Sequence, residues 1–174
     1  MSSSDGSALP GPGLVAVEGE RVLAVLDETE CRELLATASI GRIAFTEGAM
    51  PAIQPASFAL RGEDVVIPTG LGSKMAAGSR GAVVAFEVDD YDLVERTGWN
   101  VTVIGPSRLI SDPDQVRTLD ALGARPWAPA STHCYIALRM AVVRGRRISS
   151  TDALVAAGQA HEVLSSSPSS PAGI

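Results

Sequence analysis

The chain has 174 residues, 45 % of them hydrophobic, and a formal net charge of −6 at pH 7. This length suits one domain with a substantial core, and the acidic balance argues against binding to nucleic acid through phosphates. Two cysteines without a CxxC pair, and only two histidines, indicate neither a disulfide framework nor a metal site. No signal peptide or membrane span is apparent, so we expect a soluble cytoplasmic protein.

Both ends of the chain are rich in small polar residues. Residues 1 to 20 are rich in Ser, Gly and Pro and are interpreted as a flexible N-terminal lead. Residues 21 to 150 then form the folded domain. Residues 151 to 174 are predicted to contain a terminal helix, from Asp152 to Leu164, followed by a disordered tail.

A helix and a hairpin are predicted next. Asp27 and Glu30 have the spacing of a capping box, and Cys31, Leu34, Leu35 and Ala38 form an apolar stripe behind them. Residues 39 to 47 and 50 to 60 read as two strands joined by a turn at Glu47 and Gly48.

Two prolines mark the second strand of this hairpin. Pro51 and Pro55 cannot donate ladder hydrogen bonds, so the strand is predicted to be an edge or to be locally bulged. Either arrangement leaves backbone groups around Gln54, Ala56 and Ser57 free for other partners.

A glycine turn follows the third strand. Val65 to Ile67 read as strand, the chain breaks at Pro68, and helix-forming residues restart at Ser73. Thr69, Ser73 and Lys74 could supply hydroxyl and cationic donors to a phosphate at the start of this helix. The alternative is a simple turn in which Ser73 caps the helix and Lys74 lies in solvent.

The second half of the chain continues the β pattern. We predict a central strand from Gly81 to Val88 that ends in an acidic loop at residues 89 to 92, and a strand from Trp99 to Ile110 that bends at residues 105 and 106. A capped helix follows Asp112, residues 125 to 129 form a rigid proline-rich loop, and a last strand runs from Cys134 to Val143 and ends in a basic run. About six strands with short connecting helices favour a mostly β fold, a small antiparallel barrel.

Six motifs in chain order can be read as a set: GRIAF (Gly41 to Phe45), PAIQPASFAL (Pro51 to Leu60), PTGLGSK (Pro68 to Lys74), VVAFEVDD (Val83 to Asp90), TGWNVTVIG (Thr97 to Gly105) and RPWAP (Arg125 to Pro129). This set resembles the pyridoxamine 5′-phosphate oxidase-like family of flavin-binding split β-barrels, and most closely its small nitroimidazole-reductase-like branch. The resemblance spans about residues 27 to 149.

The resemblance implies a role for residues on three segments. It assigns Thr69, Ser73 and Lys74 to the flavin phosphate, and the segment with Gln54, Ala56 and Ser57 to the isoalloxazine ring. It also implies that Trp99 or Asn100 lies near the flavin at a homodimer interface, although Trp99 also suits a core position. Two roles are open for Trp127: it could anchor its loop, or it could form a lid over the other subunit's site. Arg42 is interpreted as an exposed strand residue.

The sequence departs from the true oxidases in two places. Those enzymes have an Arg between the Ser and Lys of the phosphate motif and a C-terminal Arg/His signature, and neither is present here, which disfavours pyridoxamine phosphate oxidation. No catalytic residue is identified, since His133 has no evident Ser or Asp companion.

We therefore predict an FMN-binding oxidoreductase that transfers hydride or electrons to a small molecule. The alternatives are a deazaflavin-dependent reductase and a non-enzymatic flavin- or haem-binding module.

Overall fold

The computed structural model of the protein describes residues 13–18, 20–71, 74–126 and 133–152. Within these ranges the chain forms ten strands and three helices. In chain order they are β1 (Gly13–Glu18), β2 (Arg21–Leu26), α1 (Glu28–Thr37), β3 (Ile40–Glu47), β4 (Met50–Ser57), β5 (Ala59–Arg61), β6 (Asp64–Gly70), α2 (Lys74–Ser79), β7 (Val83–Asp92), β8 (Thr97–Ile110), α3 (Pro113–Asp120), β9 (His133–Arg139) and β10 (Val142–Ser150).

The strands form an open antiparallel sheet with a side branch. The main path runs β1-β2-β10-β8-β7-β3-β4, and the branch β5-β6-β9 joins it through β8. The path does not close on itself, because β1 and β4 are its two ends. This confirms the predicted mostly β, split-barrel fold with short helices, although the described strands number ten rather than about six.

Strand β8 joins the two parts of the sheet. Its first part pairs with β7 and β10, whereas its last residues, from Ser107 to Ile110, pair with β9. The change of partner coincides with the bend predicted at Gly105 and Pro106. A Cβ atom at Gly105 would lie 2.0 Å from the carbonyl oxygen of Arg139, so any larger residue would collide with backbone there.

The core lies on the concave side of these strands and follows their alternation. Ile43 and Phe45 are buried on β3, as predicted, and Val101 and Val103 are fully buried on β8. A smaller cluster packs α3 against β6 and β9, with members Val66, Ile110, Val116, Leu119, Tyr135 and Ala137.

Helix α1 begins as its sequence predicts. The Asp27 carboxylate accepts a hydrogen bond from the Glu30 amide at 2.8 Å, and the Asp27 amide donates to the Glu30 carboxylate at 3.2 Å. Cys31 and Leu35 are fully buried on the predicted stripe. Asp112 likewise caps α3, with Pro113 in its first turn.

The predicted hairpin is also present, with β3 paired to β4 from Ile40 and Ser57 to the turn. In the part of the chain that is described, β4 pairs on one side alone. The proline-containing strand is therefore an edge, one of the two arrangements that Pro51 and Pro55 allowed.

Several predicted boundaries at the N-terminal side need correction. Strand β1 occupies residues 13–18, where a flexible lead was predicted, and it pairs with β2. β-Branched residues such as Val22 and Val25 favour strand structure here in spite of nearby glycines and charges. Residues 1 to 12 and the predicted terminal helix and tail beyond Asp152 lie outside the described residues.

Three further segments differ from the prediction. Strand β6 continues through Pro68 to Gly70. Beyond Val66 it pairs with β9 alone, so one side of the strand has no ladder, and a proline whose nitrogen faces that side removes no ladder hydrogen bond. The acidic residues 89 to 92 belong to β7, since they pair with β8 along a long hairpin. The predicted last strand is two strands, β9 and β10, separated at Met140 and Ala141, so the basic run lies inside β10.

Close packing around Gly145 gives a test of this core. A Cβ atom at Gly145 would lie 2.5 Å from the Cys31 sulfur and 3.0 Å from Cδ1 of Leu26. Gly145→Ala is therefore expected to lower the free energy of unfolding by about 1–3 kcal/mol through overpacking. In a Cys31→Ala background the same change is expected to cost less than about 1 kcal/mol, because the sulfur is gone. Urea unfolding of the four proteins measures this, and an equal cost in both backgrounds would refute the contact.

Candidate functional site

Three elements that carry predicted cofactor-binding residues lie next to one another. Strand β4 contacts β6, and α2 packs against β6, β3, β8 and β9. Thr69 is buried, one residue before β6 ends at Gly70. Helix α2 begins at Lys74, whereas Ser73 lies outside the described residues. Strand β6 thus contacts both the edge strand β4 and α2, and α2 follows the end of β6 in the chain.

Strand β4 presents a mixed surface to this region. Ala56 is buried, Ser57 is half-buried and Gln54 is exposed. Met50 and Ile53 are 70 % and 68 % exposed, which is unusual for large apolar side chains on an edge strand. The unpaired edge and these side chains leave β4 able to accept further contacts.

The Ser57 hydroxyl already has a partner. It donates a hydrogen bond to the carbonyl oxygen of Arg125, in the segment that follows α3. A cleft of about 460 Å³ lies here, lined by Ser39, Ser57, Phe58, Leu122, Gly123, Ala124, Arg125 and Pro126. The proline-rich segment is therefore fastened at its start to the strand that carries the predicted ring contacts. Trp127 lies outside the described residues.

Trp99 and Asn100 lie elsewhere in the protomer. Asn100 pairs with Asp89 on β7, and β7 pairs with β3, so two strands separate β8 from β4. At about 4.8 Å between neighbouring strands, β8 lies about 14 Å from β4. Trp99 is partly buried and packs against the core, which agrees with the core interpretation of this residue. One protomer does not bring Trp99 or Asn100 beside Ser57.

Asn100 instead lines a larger cleft of about 560 Å³. Its walls are the end of β2, the first residues of α1 and the outer face of β8 and β10, and its lining is Val25, Leu26, Asp27, Glu28, Asn100, Thr102, Ile104, Val142, Val143, Arg144, Gly145 and Arg146. The volume of this cleft and its mixed apolar and polar lining are typical of small-molecule sites.

Arg42 is an exposed strand residue, as the sequence indicated. Its guanidinium pairs with the carboxylates of Glu87, at 3.3 Å, and of Asp89 across the outer face of the sheet. Burial raises the pKa of Glu87, and the nearby Asp89 charge adds to this effect against the opposing influence of Arg42. The Arg42 guanidinium thus binds both carboxylates on the sheet surface.

Sequence reasoning missed a polar cluster at the end of α3. Asp120 Oδ1 lies 2.8 Å from His133 Nε2 and accepts a hydrogen bond from the Tyr135 hydroxyl at 2.8 Å. Tyr135 also donates to the Ala124 carbonyl oxygen at 3.4 Å, so the cluster holds the segment that carries Arg125. His133 thus has an acidic companion. It could not be recognised in the sequence, because α3 and β9 come together through the tertiary packing of Val116 and Leu119 against the sheet.

The cluster shifts the ionisation of its members. Hydrogen bonds from His133 and then Tyr135 lower the pKa of Asp120 below its ordinary value. Burial, followed by the hydrogen bond to Asp120, raises the pKa of Tyr135. Asp120 is therefore ionised near neutral pH and acts as the acceptor, with the hydrogen on Nε2 of His133.

No helix among the described residues combines the length and apolar character that crossing a bilayer requires. The same residues contain no group of three His, Cys, Asp or Glu side chains placed to hold a metal ion.

Comparison with known proteins places this fold in a family. A sequence profile described as pyridoxamine 5′-phosphate oxidase matches residues 27–147. The chain belongs to this family. The match covers every element from the Asp27 cap to β10, and it confirms the resemblance inferred from the six motifs.

Among relatives of known sequence, the uncharacterized protein Rv0080 of Mycobacterium tuberculosis is 35 % identical over 144 residues, which cover 80 % of this chain and 94 % of that protein. A solved FAD binding protein from Mycobacterium smegmatis has 28 % identity and a TM-score of 0.60, over 71 % of this chain and 98 % of that one. A candidate 5-nitroimidazole antibiotic resistance protein from Bacteroides thetaiotaomicron shares the fold, with a TM-score of 0.62 at 13 % identity over 80 % of this chain and 93 % of that one.

The Asp120 cluster generates a prediction on pH dependence. A pKa lowered by folding contributes stability above the unfolded value, near pH 4, that is lost as pH falls through the folded value. Asp120→Asn should therefore cost about 1 kcal/mol at pH 7, a value reduced by partial solvent exposure, and almost nothing at pH 2. Urea unfolding across this range measures the difference between the two proteins.

Asp114→Asn serves as the control, because Asp114 pairs with Arg117 in a highly exposed position. Its cost should stay within about 0.5 kcal/mol at every pH. A cost of Asp120→Asn that persists unchanged to pH 2 would contradict the assignment of an ionised, hydrogen-bonded Asp120.

Proposed function

We propose that this protein is a flavin-binding oxidoreductase that transfers hydride or electrons through FMN to a small molecule. The observation that carries the proposal is that β6, which carries Thr69 and leads into α2 at Lys74, contacts both the edge strand β4 and α2. Family membership supports it, as does the FAD binding named for the Mycobacterium smegmatis relative. When bound, the flavin would supply the redox chemistry, and the chain would supply binding and orientation.

The residues fit a flavin in two respects. Hydroxyl and ammonium groups at Thr69, Ser73 and Lys74 are the donors that a phosphate takes. The unpaired edge of β4 offers backbone N–H and C=O groups around Gln54 and Ala56, which suit the polar edge of an isoalloxazine ring. Since the Ser57 hydroxyl is bonded to the Arg125 carbonyl, Ser57 would meet the ring through its backbone.

The choice of cofactor is part of the proposal. FMN is the first choice, and a deazaflavin cofactor is the second. A longer anionic tail, as in FAD or a deazaflavin, would need additional cationic groups beyond Lys74. Chromatography of the cofactor released by denaturation from the purified protein distinguishes these cases.

The alternative class is a non-enzymatic module that stores or senses flavin or haem. No described residue is assigned a catalytic role, so the enzyme proposal depends on cofactor chemistry alone. Sustained turnover of a reduced nicotinamide or deazaflavin with an acceptor would support an enzyme. A protein that binds its cofactor without cycling would support the module.

The phosphate site gives a direct prediction. Lys74→Ala is expected to remove a charge-assisted contact of about 1.5–3 kcal/mol, and so to weaken FMN binding roughly ten- to a hundredfold. Alanine is a good helix former, so the unfolding free energy of the apoprotein should change little. Fluorescence titration measures the affinity. Riboflavin, which lacks the phosphate, should bind parent and variant alike.

Arg80→Ala is a matched control for Lys74→Ala, because Arg80 is an exposed cation directly beyond the other end of α2. Its affinity for FMN should match that of the parent. Undiminished FMN binding by Lys74→Ala would refute the phosphate site.

We also propose that the protein is a homodimer whose second subunit contributes Trp99 or Asn100 to each flavin. Two observations favour this: strands β7 and β3 lie between Asn100 and β4 within a protomer, and the exposed edge of β4 carries Met50 and Ile53. Sedimentation equilibrium is expected to give twice the mass of the chain. A monomer that retains tightly bound flavin would contradict the proposal.

A further inference from the structure

The cleft that contains Asn100 has a feature that flavin binding at β4 does not use. Two arginines, Arg144 and Arg146, lie two residues apart on β10, so their side chains leave the strand on the same face about 7 Å apart. The strand register sets Arg144 opposite Thr102 and Arg146 opposite Asn100. Two cations and two uncharged hydrogen-bonding side chains therefore share one patch of the cleft floor.

Neither arginine is paired with a carboxylate among the residues that the structure describes. Both are exposed, and neither makes a side-chain hydrogen bond or ion pair with any residue in the described ranges. The next residue, Arg147, differs from both. It points to the other side of β10 and pairs with Glu30 at 3.4 Å. An unpaired, closely spaced pair of guanidinium groups is notable in a chain with a net charge of −6.

Acidic groups near the cleft are already engaged elsewhere. The Asp27 carboxylate caps α1, and Glu28 pairs with Arg32 at 2.7 Å. Across β8, Glu87 and Asp89 on the neighbouring strand both pair with Arg42. Asp27 and Glu28 belong to the cleft lining, but neither pairs with Arg144 or Arg146. An anion bound between these two guanidinium groups would reduce their mutual repulsion.

The remaining walls are apolar. Val25, Leu26, Ile104, Val142 and Val143 line the cleft beside the two arginines. Its volume of about 560 Å³ is within the range of small-molecule sites. A ligand that fits both parts has a compact apolar body and one anionic group, because guanidinium forks bind carboxylate and phosphate with paired hydrogen bonds.

We propose that this cleft is a binding site for small organic anions, in which Arg144 and Arg146 hold the carboxylate or phosphate group and the valine-lined wall holds the apolar body. Thr102 supplies a hydrogen bond to the same molecule. The site goes beyond the flavin site because none of its lining belongs to β4, β6 or α2, and Asn100 is the lining residue that the proposed dimer contact also uses.

Calorimetric titration of the full chain tests this site, with naphthoate, naphthyl phosphate and the uncharged naphthamide as probes. At least one of the two anions is expected to bind at least tenfold more tightly than naphthamide, and raised salt should weaken that binding. The tighter anion identifies whether the site prefers carboxylate or phosphate.

Arg144→Gln and Arg146→Gln should each weaken binding of the preferred anion at least tenfold, without changing the affinity for naphthamide. Both residues are exposed, so the variants should fold as the parent does. Arg139→Gln is the matched control, because Arg139 is exposed, is unpaired among the described residues and lies outside the cleft lining. Its affinities should equal those of the parent.

Parallel titrations with and without saturating FMN separate this inference from the proposed flavin function. Arginine-dependent anion binding in a protein that takes up no flavin would support the cleft and count against the flavin proposal. Equal affinities for the anions and naphthamide would overturn the cleft proposal even if FMN bound tightly. It would also be overturned if both arginine variants left anion binding intact but shifted the monomer–dimer equilibrium, since the arginines would then serve a subunit contact.

Discussion

The fold depends on the close approach of β8 to the backbone at Arg139. At Gly105 the two segments come so near that a single added carbon would lie 2.0 Å from a carbonyl oxygen. This contact allows β8 to leave β10 and continue along β9, which joins the main sheet to the β5-β6-β9 branch. A residue with a side chain would hold the two parts apart, and the shared core between them would not close.

The position of the candidate cofactor site follows from that junction. Because β9 is held beside β8, β6 is paired to β9 and its end at Thr69 is brought to the start of α2. The β3 and β4 hairpin covers the other side of the core and ends the main path as an unpaired edge. Strands β4 and β6 thus contact each other because the two parts of the sheet converge there, although β5 lies between them in the sequence.

The outer face of the same sheet has a different character. Arg42 pairs with both Glu87 and Asp89 on it, whereas Arg144 and Arg146 pair with no residue in the described ranges. The inner face of β10 is tightly packed at Gly145, against Cys31. Burial raises the pKa of the Cys31 thiol to about 11, so it remains a neutral core group at physiological pH. Strand β10 therefore serves the core on one face and presents its charge to the cleft on the other.

The sequence by itself determined the features that depend on neighbours along the chain. The capping box at Asp27, the proline cap of α3, the alternating burial of β3 and the restriction of β4 to an edge or a bulged strand are local effects of hydrogen bonding, side-chain alternation and missing amide donors. The ordered motifs also sufficed to predict the family. Strand β1 was missed because glycine and proline around it weaken the local signal, and pairing with β2 supplies what propensity does not. Only the tertiary structure decided that Asp120 meets His133, that Ser57 meets Arg125 and that Arg144 and Arg146 face the same cleft as Asn100. Each of these contacts joins residues distant in sequence, and the physical reason that they meet is the strand register and core packing around β8.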